Sequence, residues 1–135
     1  MHPHPADLAN DPRGDLTVRT MAMPADTNAN GDIFGGWVMA RMDQAGGIAG
    51  VRRARGRVVT VKVQAMNFLR PVRVGDVLSV YTRVGRIGRT SMDIEIEAWA
   101  RRFLSGEEVK VTDGVFTFVS ITDEGTPRPI PPLEG

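Results

Sequence analysis

Between Thr90 and Phe103 the chain reads TSMDIEIEAWARRF, with Met92, Ile94, Ile96, Ala98 and Ala100 alternating against Asp93, Glu95, Glu97, Trp99 and Arg101. A period of two predicts a strand with one buried face, the other face being wet or set in an interface. RVVTVKVQAMNFLRP, rich in β-branched residues and ending at Pro71, predicts a long strand. DVLSVYTRVGRIG, after the turn-forming VRVGD, predicts another, and VKVTDGVFTFVSI, after SGEE, predicts the last. LTVRTMAM is the expected first strand. Only 34–51 has helical spacing, with Val38, Met42, Ala45 and Ala49 recurring. That helix carries Gly46, Gly47 and Gly50, each costing about 1 kcal/mol against alanine. Close approach of another backbone, as when a sheet wraps a helix, is the expected reason. Strand, loop, helix and four further strands predict an α+β fold, with a five-stranded antiparallel sheet and no βαβ alternation.

At 135 residues the chain is one domain, long enough to bury a real core. Its boundaries are expected at 16–122, between a loose N-terminal tail over 1–15 and a proline-rich C-terminal tail over 123–135. A net charge of +1 and a pI of about 8.3 call for no nucleic acid and no membrane partner. The absence of cysteine removes disulfides and thiolate chemistry, and fits a cytoplasmic protein. No apolar run reaches the roughly 20 residues of a spanning helix, and the polar N terminus is not a secretory signal.

Both histidines, His2 and His4, lie in the N-terminal tail, which leaves the expected core without a histidine base or a zinc ligand set. Ser79, Ser91, Ser105 and Ser120 lack a nucleophile-elbow setting, and phosphate-binding glycine patterns are absent. The loop DTNANGDI begins like a calcium-binding EF-hand loop. Counted from Asp26, however, position 12 falls on Trp37, where a bidentate glutamate is required. No metal is therefore expected, and the loop reads as a turn feeding a helix N terminus at Gly35-Gly36. Free amides at such a terminus can hold an anion or a developing oxyanion. Any acid–base chemistry then falls to a carboxylate. Asp43, mid-helix among Met39, Met42, Gly46 and Gly47, is the leading candidate, expected to be buried and thereby a stronger base. Arg86, Arg89, Thr90 and Ser91 gather basic and hydroxyl groups at a turn between strands, whereas Arg52, Arg53, Arg55 and Arg57 read as a solvated face.

AMPADTNANGDIFGGWVMARMD, GRVVTVKVQAMNFLRPVRVGDVL, GRTSM and VTDGVFTFVSI occur in this order. From Arg19 to Ile121 the chain resembles the hotdog-fold acyl-CoA thioesterases of the YciA type. The resemblance implies a sheet wrapped around one long central helix. It implies paired protomers with active sites at their interface, and a hexamer built as a trimer of dimers. It places the catalytic acid on Asp43. Asn28, from the opposite protomer, would help place the substrate or attacking water, and the amides of Gly35 and Gly36 would polarise the thioester carbonyl. Arg89 and Ser91 are implied in contacts to coenzyme A, with Arg86 and Thr90 beside them, and Val59 and Thr60 would flank the pantetheine arm. Coenzyme A enters as substrate and product, with no separate cofactor. Asp43 would either activate water or attack directly. A hotdog hydratase looks to a histidine that this core lacks. A non-catalytic acyl-CoA sensor is the alternative, and such a module would not need Asp43 with its amide donors.

Overall fold

A computed structural model describes residues 11–133. The elements are β1 (Asp15–Met21), a 3-10 turn (Pro24–Asp26), α1 (Gly35–Ala54), β2 (Val58–Phe68), β3 (Val77–Ile87), β4 (Ser91–Arg101) and β5 (Glu108–Ser120). The five strands form one antiparallel sheet in the order β1-β3-β4-β5-β2. This is the expected five-stranded sheet with one long helix. Most of the expected N-terminal tail, residues 1–10, lies outside the described residues. The expected C-terminal tail falls largely within them and packs on the body: Ile130 touches the core and Arg128 Nη2 donates to Ala54 O at 2.5 Å. No helix among the described residues is long and apolar enough to cross a membrane.

The core follows from the two periodicities. Met92, Ile94, Ile96, Ala98 and Ala100 are all buried on one face of β4. Phe116 and Phe118 of β5 stand opposite Ile94 and Met92 on the same face. Val38, Met42, Ala45, Gly46, Gly50 and Ala54 bring one helical stripe down onto them. The helix glycines divide by position. A Cβ on Gly46 would stand 2.7 Å from the Phe118 ring and 2.9 Å from Ile96 Cδ1, and one on Gly50 would stand 3.2 Å from Val58. Gly47 faces open space within the protomer. The close approach expected from the sequence is therefore real at Gly46 and Gly50, but it is made by sheet side chains rather than by a backbone. The other face of β4 is not simply wet either. Glu97 and Trp99 are buried there, joined by a bond from Trp99 Nε1 to Glu97 Oε1 at 2.9 Å.

A further lock fixes the chain beneath the helix start. Asp76, almost fully buried, accepts from Arg102 Nη1 at 2.5 Å, from Arg73 N–H at 2.9 Å and from Phe103 N–H at 3.3 Å. Arg102 Nη1 also donates to Pro71 O at 2.9 Å. The 71–76 loop is thereby tied to the end of β4.

Candidate active site

The DTNANGDI loop is shaped by Asn28. Its side-chain Oδ1 accepts from Asn30 N–H at 2.9 Å and from Asp32 N–H at 3.2 Å, while its own N–H donates to Asp32 O at 2.7 Å. This asparagine turn explains the clustered polar residues without a metal. Gly31 completes the turn with φ of 84°, a left-handed value that favours glycine. Ile33 then anchors the loop through its N–H to Val72 O, and α1 begins after Phe34. Phe34 supplies no side-chain cap. The amides of Gly35 and Gly36, first in the helix, therefore keep their outward donors and the positive end of the dipole. Beside them lies a cleft of about 310 Å³ lined by Ile33, Gly35, Val38, Phe68, Leu69, Arg70, Pro71, Val72 and Val111. Its walls are mostly apolar, and Gly35 at the helix start is part of its lining.

Asp43 is not buried as expected. Within the protomer it is exposed, two helical turns beyond Gly35. Burial within one chain is thus not what prepares this carboxylate. A hydrogen bond orients it instead: Thr60 Oγ1 donates to Asp43 Oδ1 at 2.5 Å. The sheet geometry explains how they meet. Thr60 pairs with Phe118, whose side chain points to the core, so Thr60 shares the face of β2 that looks toward the helix. A bulge follows between Thr60 and Lys62. Thr60, expected to line a pantetheine path, is therefore engaged by the candidate acid. Its neighbour Val59 is 44% exposed and points to the other side of the sheet. Nothing in the sequence alone links position 60 to position 43; only the β2 register does.

The structure brings Arg86, Arg89, Thr90 and Ser91 together at the β3–β4 turn, but not all of them are free. Arg86 Nε bonds Asp93 Oδ2 at 3.1 Å, and Arg86 Nη2 reaches Ser91 Oγ at 3.4 Å. Arg86 is thus occupied within the turn rather than reaching outward for phosphate. The Thr117 hydroxyl, donating to Asp93 Oδ1 at 2.7 Å, and then Arg86 hold the Asp93 carboxyl below the usual carboxylate range. Arg89 is exposed and its side chain takes no partner among the described residues. Val59 and the Arg89 turn lie at the same end of the sheet, since Val59 and Ser91 both pair with Val119. The basic cluster at the end of α1 also departs from a plain solvated face: Arg53 Nη1 donates to Pro131 O at 2.6 Å and Arg57 Nη1 to Asp123 O at 3.0 Å.

Residues 30–102 match the model of the thioesterase superfamily. The chain is 52% identical over 127 residues to the acyl-CoA thioester hydrolase YciA of Salmonella typhimurium, covering 92% of this chain and 96% of that protein. It is similar to the hexameric thioesterase y2039 of Yersinia pestis, with a TM-score of 0.87, 52% identity and coverage of 90% and 99% of the two chains. It is also similar to Cj0915, a hexameric hotdog-fold thioesterase of Campylobacter jejuni, with a TM-score of 0.84, 39% identity and coverage of 87% and 91%. With the helix-wrapping sheet, the exposed carboxylate and the open amides already in place, these likenesses mark the chain as a member of the hotdog-fold thioesterase superfamily, of the YciA kind.

Proposed function

We propose that this protein hydrolyses acyl-CoA thioesters to the free acid and CoA, with Asp43 taking the proton of the attacking water. The observation that carries the role of Asp43 is the bond from Thr60 Oγ1 to Asp43 Oδ1 at 2.5 Å. It fixes the carboxylate and leaves Oδ2 open toward a water. The water oxygen bonds the thioester carbonyl carbon as its proton passes to Asp43. The carbonyl oxygen gains negative charge, which the Gly35 and Gly36 amides receive; one such donor is typically worth about 3–4 kcal/mol. The carbon–sulfur bond then breaks, the CoA thiolate leaves, and the proton held by Asp43 is released. Asn28 places the substrate or the water, and Arg89 and Ser91 meet the nucleotide end of CoA.

The eight positions from Gly35 to Asp43 span about 12 Å at the helical rise. One carbonyl cannot touch both ends within a protomer, so the working site pairs Asn28, Gly35 and Gly36 of one protomer with Asp43 and Thr60 of another. The β2 edge of the sheet supports a homo-oligomer with a pair as its smallest active unit. Among the described residues β2 has no neighbouring strand on one side and exposes Val59, Val61 and Val63, and the outer face of α1 exposes Ile48 and Val51. The hexameric state of its relatives supports a trimer of such pairs.

The test is thiol release from a panel of acyl-CoAs. Asp43→Asn is expected to lose about 10²- to 10⁴-fold in kcat, the usual span for a positioned acid–base group. Thr60→Val is expected to lose about tenfold, the value of a hydrogen bond to a charged group. Full activity in Asp43→Asn would remove Asp43 from its role. CoA binding without turnover on any chain length would make the protein a sensor.

A further inference from the structure

The segment after β5 is strapped across the end of α1. Ile121 N–H donates to Arg57 O at 2.9 Å and Arg128 N–H to Ser120 O at 2.9 Å. Arg128 Nη2 reaches Ala54 O at 2.5 Å, one of the carbonyls that a helix end leaves unpaired. Gly56 makes room for this contact, because a Cβ there would overlap the Arg128 guanidinium. Arg53 and Arg57 hold the Pro131 and Asp123 carbonyls. Pro127, Pro129 and Pro131 fix φ at three positions of the strap, which limits its alternative conformations.

The strap reaches the β3–β4 turn. Ile130 N–H donates to Arg89 O at 2.9 Å, and Ser120 N–H, at the end of β5 where the strap departs, donates to Thr90 O at 2.8 Å. Both carbonyls of the Arg89-Thr90 pair are therefore pinned from the C-terminal side, while the Arg89 side chain projects outward. We propose that residues 121–131 act as a positioning strap for the nucleotide-binding turn. They hold the backbone of Arg89 so that its guanidinium is already placed when the phosphates of CoA arrive. This rests on the reading above that the turn takes the CoA nucleotide. A backbone fixed beforehand loses less freedom on binding, so the strap acts on affinity for the nucleotide rather than on the chemical step.

The test compares an acyl-CoA with the matching acyl-pantetheine, which lacks the nucleotide. Ile130→Pro removes the N–H donor in a setting where the flanking prolines already impose extended backbone. Ile130→Ala keeps the donor and trims only the packing. Ile130→Pro is expected to raise KM for acyl-CoA about fivefold, as for one hydrogen bond near 1 kcal/mol, with kcat and the acyl-pantetheine kcat/KM unchanged. Ile130→Ala should lower Tm yet leave the ratio between the two substrates at the wild-type value. Arg128→Met, which frees the strap from Ala54, should shift that ratio in the same direction as Ile130→Pro. Equal losses on both substrates in Ile130→Pro and Arg128→Met would reduce the strap to a stabilising element and overturn the proposal. An unchanged KM for acyl-CoA would overturn it as well. If the wild type released no thiol at all, the hydrolase reading would fall, yet calorimetry with CoA itself would still read the strap, and unchanged CoA affinity in Ile130→Pro would sink it. If the wild type handled acyl-pantetheine as well as acyl-CoA, the turn would have no nucleotide role and the strap none through it.

Discussion

At the scale of single residues, the side chains near the site divide into those held and those left free. Asp43 is held through Oδ1 by Thr60, whereas the exposed Arg89 side chain takes no partner among the described residues. Arg86, similar in sequence terms, is consumed by Asp93 and Ser91. Asp93 also gives a pH prediction. Its folded pKa is depressed, first by the Thr117 hydroxyl and then by Arg86. The stability it contributes is therefore present above the unfolded carboxylate value of about 3.9 and is lost as pH falls through the lower folded value. Thermal melts of wild type and Asp93→Asn should differ most near neutral pH. The gap should close as pH drops below about 4, and a gap that widened on acidification would contradict the assignment.

At the scale of elements, the helix shows which glycines matter. Gly46 lies where Phe118 and Ile96 leave no room for a methyl group. Gly46→Ala is expected to lower stability by about 1–3 kcal/mol, the usual cost of overpacking, despite the gain in helix propensity. Denaturant unfolding checks this, and a neutral or stabilising result would mean that the sheet yields more easily than its packing suggests. On the β2 side, register rather than burial brings Thr60 to the helix. Thr60 faces the helix through its pairing with Phe118, and the β-bulge after it changes the facing only of the residues that follow.

At the scale of the whole molecule, the protomer exposes apolar side chains along β2 and the outer face of α1, where the second copy of the proposed pair would dock. β2 is an edge strand, and Val61 in it is 56% exposed. An unpaired edge of this kind is a template for another strand. Val61→Lys is expected to shift the protein toward smaller species in sedimentation velocity and to remove thiol release in parallel. Dissociation with activity intact would show that one protomer suffices, against the 12 Å argument made from the helical rise.

Much of this was legible in the chain. The alternation in β4 and the helical spacing from Val38 to Ala49 each follow from a local period, and local periods are written in consecutive residues. Asp43 stood out as a carboxylate mid-helix among small residues, and Gly35-Gly36 as an uncapped helix start. Other features were not legible, because they depend on which distant residues meet. The Thr60 bond to Asp43 needs the β2 register, and the occupation of Arg86 needs Asp93 on the next strand. The exposure of Asp43 needs the sheet's reach around the helix, and the role of Arg53 and Arg57 needs the path of the C-terminal segment. Sequence alone determined the elements and singled out Asp43 as the carboxylate to consider, since period and residue type act locally. Tertiary structure decided which polar groups were already partnered, since hydrogen bonds are made in space between residues far apart in the chain.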